Sequence, residues 1–222
     1  NKLYNAKRLK LREPIKRPKI IASEDVERIL KACKNSRDQF LIYLLYETGM
    51  RIGEALSLHR EDIKFGARKI SIRDRGELEN DAEIKTSSSE RTLDVTPDLM
   101  NLYDEYFFDY LDSDEVDTDF VFINITGKKR NEPMTYQAVN SLIKRLREET
   151  GVQFSAHVLR HTCLTELWRT KKIRPEILKA RAGHKQIQTT LQMYVHPSKE
   201  DIAKEWAEAI AEKQKSEDKN VK

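Results

Sequence analysis

The sequence has little cysteine, with only Cys33 and Cys163 among its 222 residues. Both lie in apolar stretches of helical spacing, so a disulfide framework is not expected and a reducing cytoplasm is the natural setting. The sequence also lacks a run of eighteen apolar residues and a charged-then-apolar leader. A membrane span and a secretory signal are therefore not expected. Because the sequence does not begin with Met, we expect a further segment upstream.

In two segments the charged residues are almost all of one sign, whereas the formal net charge of the whole chain is only +4. Residues 1–20 carry eight Lys and Arg against one acid, Glu13, whereas residues 104–119 carry eight acids and no base. Such asymmetry predicts one face for a polyanion and another turned away from it. A solvated linker explains the basic segment equally well.

Hydrophobic periodicity predicts a mainly α fold with a small three-stranded antiparallel sheet. The stretch FLIYLLYE is a nearly all-apolar helix, which must be buried and which ends at Gly49. The period then changes to alternation over 69–73, 82–85 and 91–95, which predicts the three strands. The turn before the last strand is tight, while the connection over 74–81 is longer.

Beyond the sheet the pattern is again helical apart from a short apolar strand, FVFIN. Thr135 caps one helix that Gly151 ends, Ser155 caps the next, and the composition past Lys213 is polar. There is no internal repeat. The sequence predicts a basic linker or arm over 1–20, one domain over 21–213 and a polar, disordered tail over 214–222.

Six polar residues occupy positions that packing alone does not require: Arg51, Lys85, His157, Arg160, His184 and Tyr194. Several have an ordinary structural interpretation when taken singly. Arg51 fits an ion pair with Glu54 on a helix surface, and Lys85 fits a solvated hairpin tip. Tyr194, three residues after Leu191, fits a core position.

His157, Arg160 and His161 stand at i, i+3 and i+4, so they are neighbours on a helix. With Ser155 as the N-cap, His157 lies in the first turn, where backbone N–H groups favour an anion. The two histidines also have the spacing of zinc ligands. Position 158 holds Val158 instead of the glutamate of HExxH, and no third carboxylate ligand is obvious. We therefore predict no metal site.

Together these residues suit attack on a phosphodiester. The set has two arginines, two histidines, a lysine and a tyrosine, without a carboxylate pair or a metal cluster. It supplies fixed cations for negative oxygens, a nucleophilic phenol and a proton donor for the leaving oxygen.

Five motifs in this order resemble the tyrosine recombinase (phage integrase-like) family: ETGMRIGEALSL, IKTSSSERTLDV, HVLRHT, AGHKQIQTTLQMY and YVH. The resemblance covers residues 19–211. It implies that 21–213 is a catalytic domain with the tyrosine recombinase fold of DNA breaking-rejoining enzymes.

The resemblance also implies a mechanism. Tyr194 would attack a scissile DNA phosphate, forming a 3′-phosphotyrosyl link and freeing a 5′-hydroxyl. Arg51 and Arg160 would hold the non-bridging oxygens, because their geometry is bidentate. Lys85 would protonate the leaving 5′-oxygen.

The histidines complete the implied site. His157 would accept the tyrosine proton, His184 would add a hydrogen bond, and Glu54 would be the acidic residue that supports the site. The covalent bond stores the phosphodiester energy, so no cofactor, ATP or metal is expected.

The implied function is site-specific recombination, as an integrase or transposase of a mobile element. The implied partner is double-stranded DNA with inverted-repeat core sites, on which a homo-oligomer, dimer to tetramer, assembles. A cytoplasmic, nucleoid-associated protein without a membrane or small-molecule partner is expected. Three alternatives stay open: Xer-type dimer resolution, a type IB topoisomerase and a catalytically inactive DNA-binding protein.

Two features depart from the family pattern. The connection over 74–81 is longer, which predicts an extra contact with DNA or a partner. The family's amino-terminal DNA-binding domain has no counterpart here, where only its linker is expected. The stripe of Ile202, Trp206 and Ile210 fits either a helix that docks on a neighbouring protomer or a core helix.

Overall fold

The helices of the domain surround one central helix and leave a small sheet at the edge. The computed structural model describes residues 19–84, 90–184, 203 and 206–211. Its helices are α1 (Ser23–Lys31), α2 (Ser36–Thr48), α3 (Ile52–Leu56), α4 (Pro97–Tyr106), α5 (Tyr136–Thr150), α6 (Ala156–Arg169) and α7 (Pro175–Ala182). Its strands are β1 (Ile63–Lys64), β2 (Lys69–Ile72) and β3 (Arg91–Asp94). Short 3₁₀ turns, Arg60–Asp62 and Phe65–Ala67, flank β1, and a π-helical segment, Phe107–Leu111, follows α4.

Helix α2 is the centre of the core because it is apolar on almost every side. Helices α4 and α6 pack against it, and the ring of Phe40 stacks on that of Phe122 with centroids 5.4 Å apart. The predicted burial of this helix is confirmed by its fully buried residues: Phe40, Leu41, Ile42, Leu44 and Leu45. None of the helices in the described residues is both long and apolar enough to cross a bilayer.

Helix ends follow capping residues that the sequence marks. The hydroxyl oxygens of Thr135 and Ser155 accept hydrogen bonds from backbone N–H groups three residues on. Helices α2, α5 and α7 end at Gly49, Gly151 and Gly183, whose φ angles are 63°, 74° and 62°. This left-handed conformation favours glycine. The predicted caps and the ends at Gly49 and Gly151 are confirmed.

The sheet has three antiparallel strands, as predicted, but one predicted strand is wrong. Ile70 of β2 lies opposite Ile63 of β1 on one side and Leu93 of β3 on the other. The first strand is therefore Ile63–Lys64, whereas residues 82–84 form no strand. The segment FVFIN also forms only isolated bridges, one of which joins Ile123 to Pro133.

The side chain of Asn80, and not hydrogen bonds to a neighbouring strand, holds the start of the segment that was predicted as a strand. The amide nitrogen of Asn80 donates to the carbonyl oxygens of Leu56 and Met134, each at 3.0 Å. Its oxygen accepts from the N–H of Ala82 at 3.2 Å. Ala82 is buried in the core, so the alternation in the described part of this segment, 82–84, reflects burial of Ala82 without sheet pairing.

The long connection over 74–81 is tied to the domain near its start. Arg75 Nη1 lies 2.9 Å from Oδ2 of the buried Asp62, and its Nη2 donates to Glu61 Oε1 at 2.7 Å. This arginine is therefore committed to carboxylates of the domain itself. An added DNA or partner contact at this connection stays a prediction.

The C-terminal apolar stripe is not part of the core. Trp206 and Ile210 lie in a helical segment, 206–211, and are 69% and 37% exposed. The core-helix interpretation is wrong for these two residues, and docking on a neighbouring protomer stays a prediction. Ile202 and the basic arm before Lys19 lie outside the described residues, and the predicted domain boundaries stay predictions.

Both cysteines are free thiols, as predicted. Burial, with smaller effects from neighbouring charges, raises the pKa of Cys33 and of Cys163 to about 12. Neither thiol forms a reactive thiolate near neutral pH.

We expect Asn80→Ala to lower the free energy of unfolding by about 1–3 kcal/mol, because two buried carbonyl groups lose their donor. Asn101→Ala is the matched control, since Asn101 is exposed on α4, and it should change stability by about 0.5 kcal/mol or less. Urea unfolding of both variants measures the difference. Equal losses would contradict the anchoring role of Asn80.

Candidate active site

Arg160 joins the ends of two helices. It lies on α6 and is only 4% exposed. Its guanidinium donates to the carbonyl oxygen of Gly49 at the end of α2 and to that of Ala182 at the end of α7, the latter at 2.6 Å. Carbonyl groups at helix C-termini carry partial negative charge, so they stabilise a buried cation. A third contact, at 3.0 Å, joins Nη2 to His184 Nε2.

Glu54 is a buried carboxylate shared by two arginines. Oε1 accepts from Arg51 Nη1 at 2.8 Å and from Arg91 Nη1 at 3.1 Å, while Oε2 accepts from Arg91 Nη2 at 2.9 Å. The predicted ion pair of Arg51 with Glu54 is confirmed, but Glu54 is 1% exposed, so the expected position of the pair on a helix surface is wrong. Burial alone would raise the pKa of Glu54, but the hydrogen bonds and charges of Arg91 and Arg51 outweigh it and lower the pKa.

The same two arginines hold the turn that carries His184. Arg51 Nη2 donates to the carbonyl oxygen of Gly183 at 3.2 Å, and Arg91 Nε donates to that of Arg181 at 2.7 Å. A Cβ at Gly183 would lie 2.7 Å from Arg91 Nη1. Glycine at this position therefore satisfies both the left-handed backbone and the close approach of a guanidinium.

Arg91 is the residue that the sequence reasoning missed. The alternation in β3 contains the signal, because Arg91, Leu93 and Val95 share one face of the strand. Leu93 and Val95 are buried, so that face points inward and an arginine on it needs a buried anion.

His157 and His161 form a contacting pair on the first turns of α6. Their Nε2 atoms are 2.7 Å apart, and their rings meet edge-on at 87°. Burial, then the charges of His157 and Arg160, lower the pKa of His161 to about 4. Partial burial, Arg160 and Arg51 lower the pKa of His157 as well.

His184 is neutral for the same reasons. Burial comes first, and the charges of Arg160, Arg51 and Arg91 add to it, so the pKa of His184 falls to about 4. Near neutral pH these imidazoles are therefore uncharged hydrogen-bonding groups beside permanently charged arginines. In the described ranges no group of three or more His, Cys, Asp or Glu is arranged to hold a metal ion.

The structure brings four of the six predicted residues to one place. Arg160 contacts His184 directly. Arg51 donates a hydrogen bond to the backbone of Gly183, the residue before His184. The charges of Arg51 and Arg160 act on His157, which is exposed on the first turn of α6. Lys85 and Tyr194, the other two, lie outside the described residues. Their roles stay predictions.

Comparison with known proteins places this arrangement in a family. The model of the phage integrase family matches residues 19–201. The chain belongs to the phage integrase family. Transposase A from transposon Tn554 of Staphylococcus aureus is 38% identical over 211 residues, which cover 95% of this chain and 58% of that protein.

Two more distant proteins are also similar to this chain, one in sequence and one in structure. Tyrosine recombinase XerA of Saccharolobus solfataricus is 28% identical over 199 residues, which cover 88% of this chain and 58% of that protein. The solved integrase of transposon Tn1549, in complex with transposon right end DNA, superposes with a TM-score of 0.72 at 21% identity. That match covers 90% of this chain and 68% of the other. The predicted catalytic-domain fold is confirmed, and the chain spans about 58% of these curated relatives' length.

We expect Gly183→Ala to cost more stability than Gly151→Ala. Both glycines end a helix with positive φ, but a Cβ at Gly151 meets nothing within 4 Å. Each variant should lose about 1–2 kcal/mol from backbone strain, and Gly183→Ala should lose a further ~1 kcal/mol or more because Arg91 must move. Unfolding free energies measure both losses. Equal losses would show that Arg91 does not restrict position 183.

Proposed function

We propose that this chain cleaves and rejoins DNA in the site-specific recombination of a mobile element, through a 3′-phosphotyrosyl intermediate at Tyr194. The observation that carries the proposal is the cluster of Arg51, Arg160 and His184 around the ends of α2 and α7. Family membership and the 38% identity to a transposon's transposase support the same activity.

The charge of the cluster suits a phosphate. Among the described residues the cluster contains three arginines, Arg51, Arg91 and Arg160, and one carboxylate, Glu54, which pairs with the first two. A surplus of two positive charges remains, because burial and the arginine charges keep His184 neutral. Phosphoryl transfer gathers negative charge on the non-bridging oxygens, and fixed cations stabilise it without rearranging. The side chain of Arg51 is 32% exposed, so an incoming phosphate reaches the cluster there.

Each of the proposed site residues then has its own role in the reaction. Arg51 and Arg160 hold the non-bridging oxygens and His184 adds a hydrogen bond, while Tyr194 attacks phosphorus. Lys85 donates the proton to the leaving 5′-oxygen, and His157 accepts the phenol proton. The phosphotyrosyl bond conserves the energy of the broken phosphodiester, so rejoining needs no ATP.

The proposed partner is double-stranded DNA with inverted-repeat sites, bound by two to four copies of the protein. The exposed Trp206 and Ile210 are suitable for contact between copies, because large apolar side chains at a surface favour association. The Tn1549 integrase was solved with DNA of its transposon end. Identity is 38% to the transposase and 28% to XerA, which favours a mobile-element role over dimer resolution.

We expect Tyr194→Phe to abolish the covalent adduct on a nicked suicide substrate that carries candidate element ends, because phenylalanine has no nucleophilic oxygen. Denaturing electrophoresis separates the adduct from free protein. Tyr110→Phe is the control, since Tyr110 lies beside Asp109, which bonds Ser36 at the opposite end of α2. An adduct of wild-type yield with Tyr194→Phe would exclude Tyr194 as the nucleophile.

A further inference from the structure

His161 belongs to the arginine and histidine cluster, yet none of the roles proposed above uses it. It follows Arg160 on α6, it is 5% exposed, and its Nε2 atom is 2.7 Å from that of His157. The two ring planes are nearly perpendicular, at 87°, and the distance between the Nε2 atoms is that of a hydrogen bond between the rings.

The short distance limits the protons between the rings. One Nε2 atom must carry hydrogen and the other must not, because two N–H groups, or two lone pairs, would repel each other across 2.7 Å. While the contact persists, the pair therefore holds at most one positive charge. In the uncharged pair, one ring is the Nε2–H tautomer and the other is the Nδ1–H tautomer.

The surroundings decide which ring takes an added proton. His161 is buried, and Arg160 on its own helix and His184 after α7 both face it. His157 faces Arg160 and Arg51, but it is open to solvent on one side. The proton therefore goes to His157, and neutral His161 accepts the hydrogen bond. With that proton His157 carries N–H on both ring nitrogens, and the Nε2–H is held in the hydrogen bond to His161. When Nδ1 releases the proton, His157 keeps Nε2–H and has a lone pair on Nδ1.

We propose that His161 is a positioning residue, which holds His157 in the tautomer whose Nδ1 accepts the proton of the attacking phenol. The proposal rests on the proposed function for the identity of that proton. The phenol O–H bond breaks, its proton bonds to Nδ1, and the electron pair stays on the oxygen that attacks phosphorus. The Nε2–H···Nε2 hydrogen bond then becomes charge-assisted and stronger.

The hydrogen bond between the two rings also predicts how the pKa of His157 depends on His161. Burial, Arg160 and Arg51 lower the pKa of His157. A hydrogen-bond acceptor stabilises the charged form of a histidine, so we expect His161 to oppose this lowering. Removal of the acceptor should lower that pKa further. The weaker base and the loss of a fixed tautomer should both slow the proton transfer.

The first test uses the chain without DNA. Nitrogen-15 NMR of the histidine rings should show Nε2–H and a bare Nδ1 in His157, with the opposite tautomer in His161. His161→Phe should give His157 mixed tautomers and a lower pKa, whereas His161→Gln should preserve the tautomer, because its amide oxygen can accept. A wild-type His157 protonated at Nδ1, or an unchanged His157 in His161→Phe, would overturn the proposal.

The second test measures the rate of adduct formation on the suicide substrate against pH. His161→Phe should lower the maximum rate roughly 10- to 100-fold and move the acid limb to lower pH, and His161→Gln should restore most of the rate. Thr165→Val, one turn along α6, is the matched control, since Thr165 Oγ1 has no partner among the described residues. Unfolding curves establish that each variant is folded.

The two tests separate the possible failures. If the wild-type chain forms no adduct, the proposed function fails, while the tautomers still decide whether His161 positions His157. If the wild-type chain forms the adduct and His161→Phe matches its rate and pH profile, the role of His161 fails alone.

Discussion

The site depends on one constraint, which is that the buried guanidinium of Arg160 cannot lose its proton and must be surrounded by acceptors. The carbonyl oxygens at the ends of α2 and α7 supply them. Because the side chain of Arg160 donates hydrogen bonds to both helix ends, the turns after those helices lie side by side. Arg51 follows one end and His184 follows the other, so a single buried cation assembles the rest of the cluster.

The second consequence is electrostatic. Buried ion pairs contribute little to stability, since the cost of desolvation offsets most of their attraction. Their value here is placement, because Glu54 holds two arginines in fixed positions and still leaves positive charge in excess. Burial first, and then this excess of positive charge, lower the pKa of His161 and His184. An arrangement made in advance needs little reorganisation, as the proposed binding of a phosphate requires.

Sequence patterns predicted the parts of the fold that local chemistry controls. The caps at Thr135 and Ser155 and the ends at Gly49 and Gly151 depend on a few adjacent residues. The strand predicted over 82–85 is wrong for residues 82–84, because Ala82 is buried in the core while the side chain of Asn80 accepts a hydrogen bond from its backbone N–H. The true strand β1 has two residues, which is too short to leave a periodic signal.

The sequence by itself indicated four members of the cluster, Arg51, His157, Arg160 and His184. The spacing of His157, Arg160 and His161 placed these three on one helix face. Tertiary structure decided that Arg91 enters the site and that Glu54 is buried between two arginines. Arg91 and Glu54 are 37 positions apart, and Arg51 and Gly183 are 132 apart. Periodicity and capping act over a few residues, whereas a shared carboxylate depends on how distant segments pack.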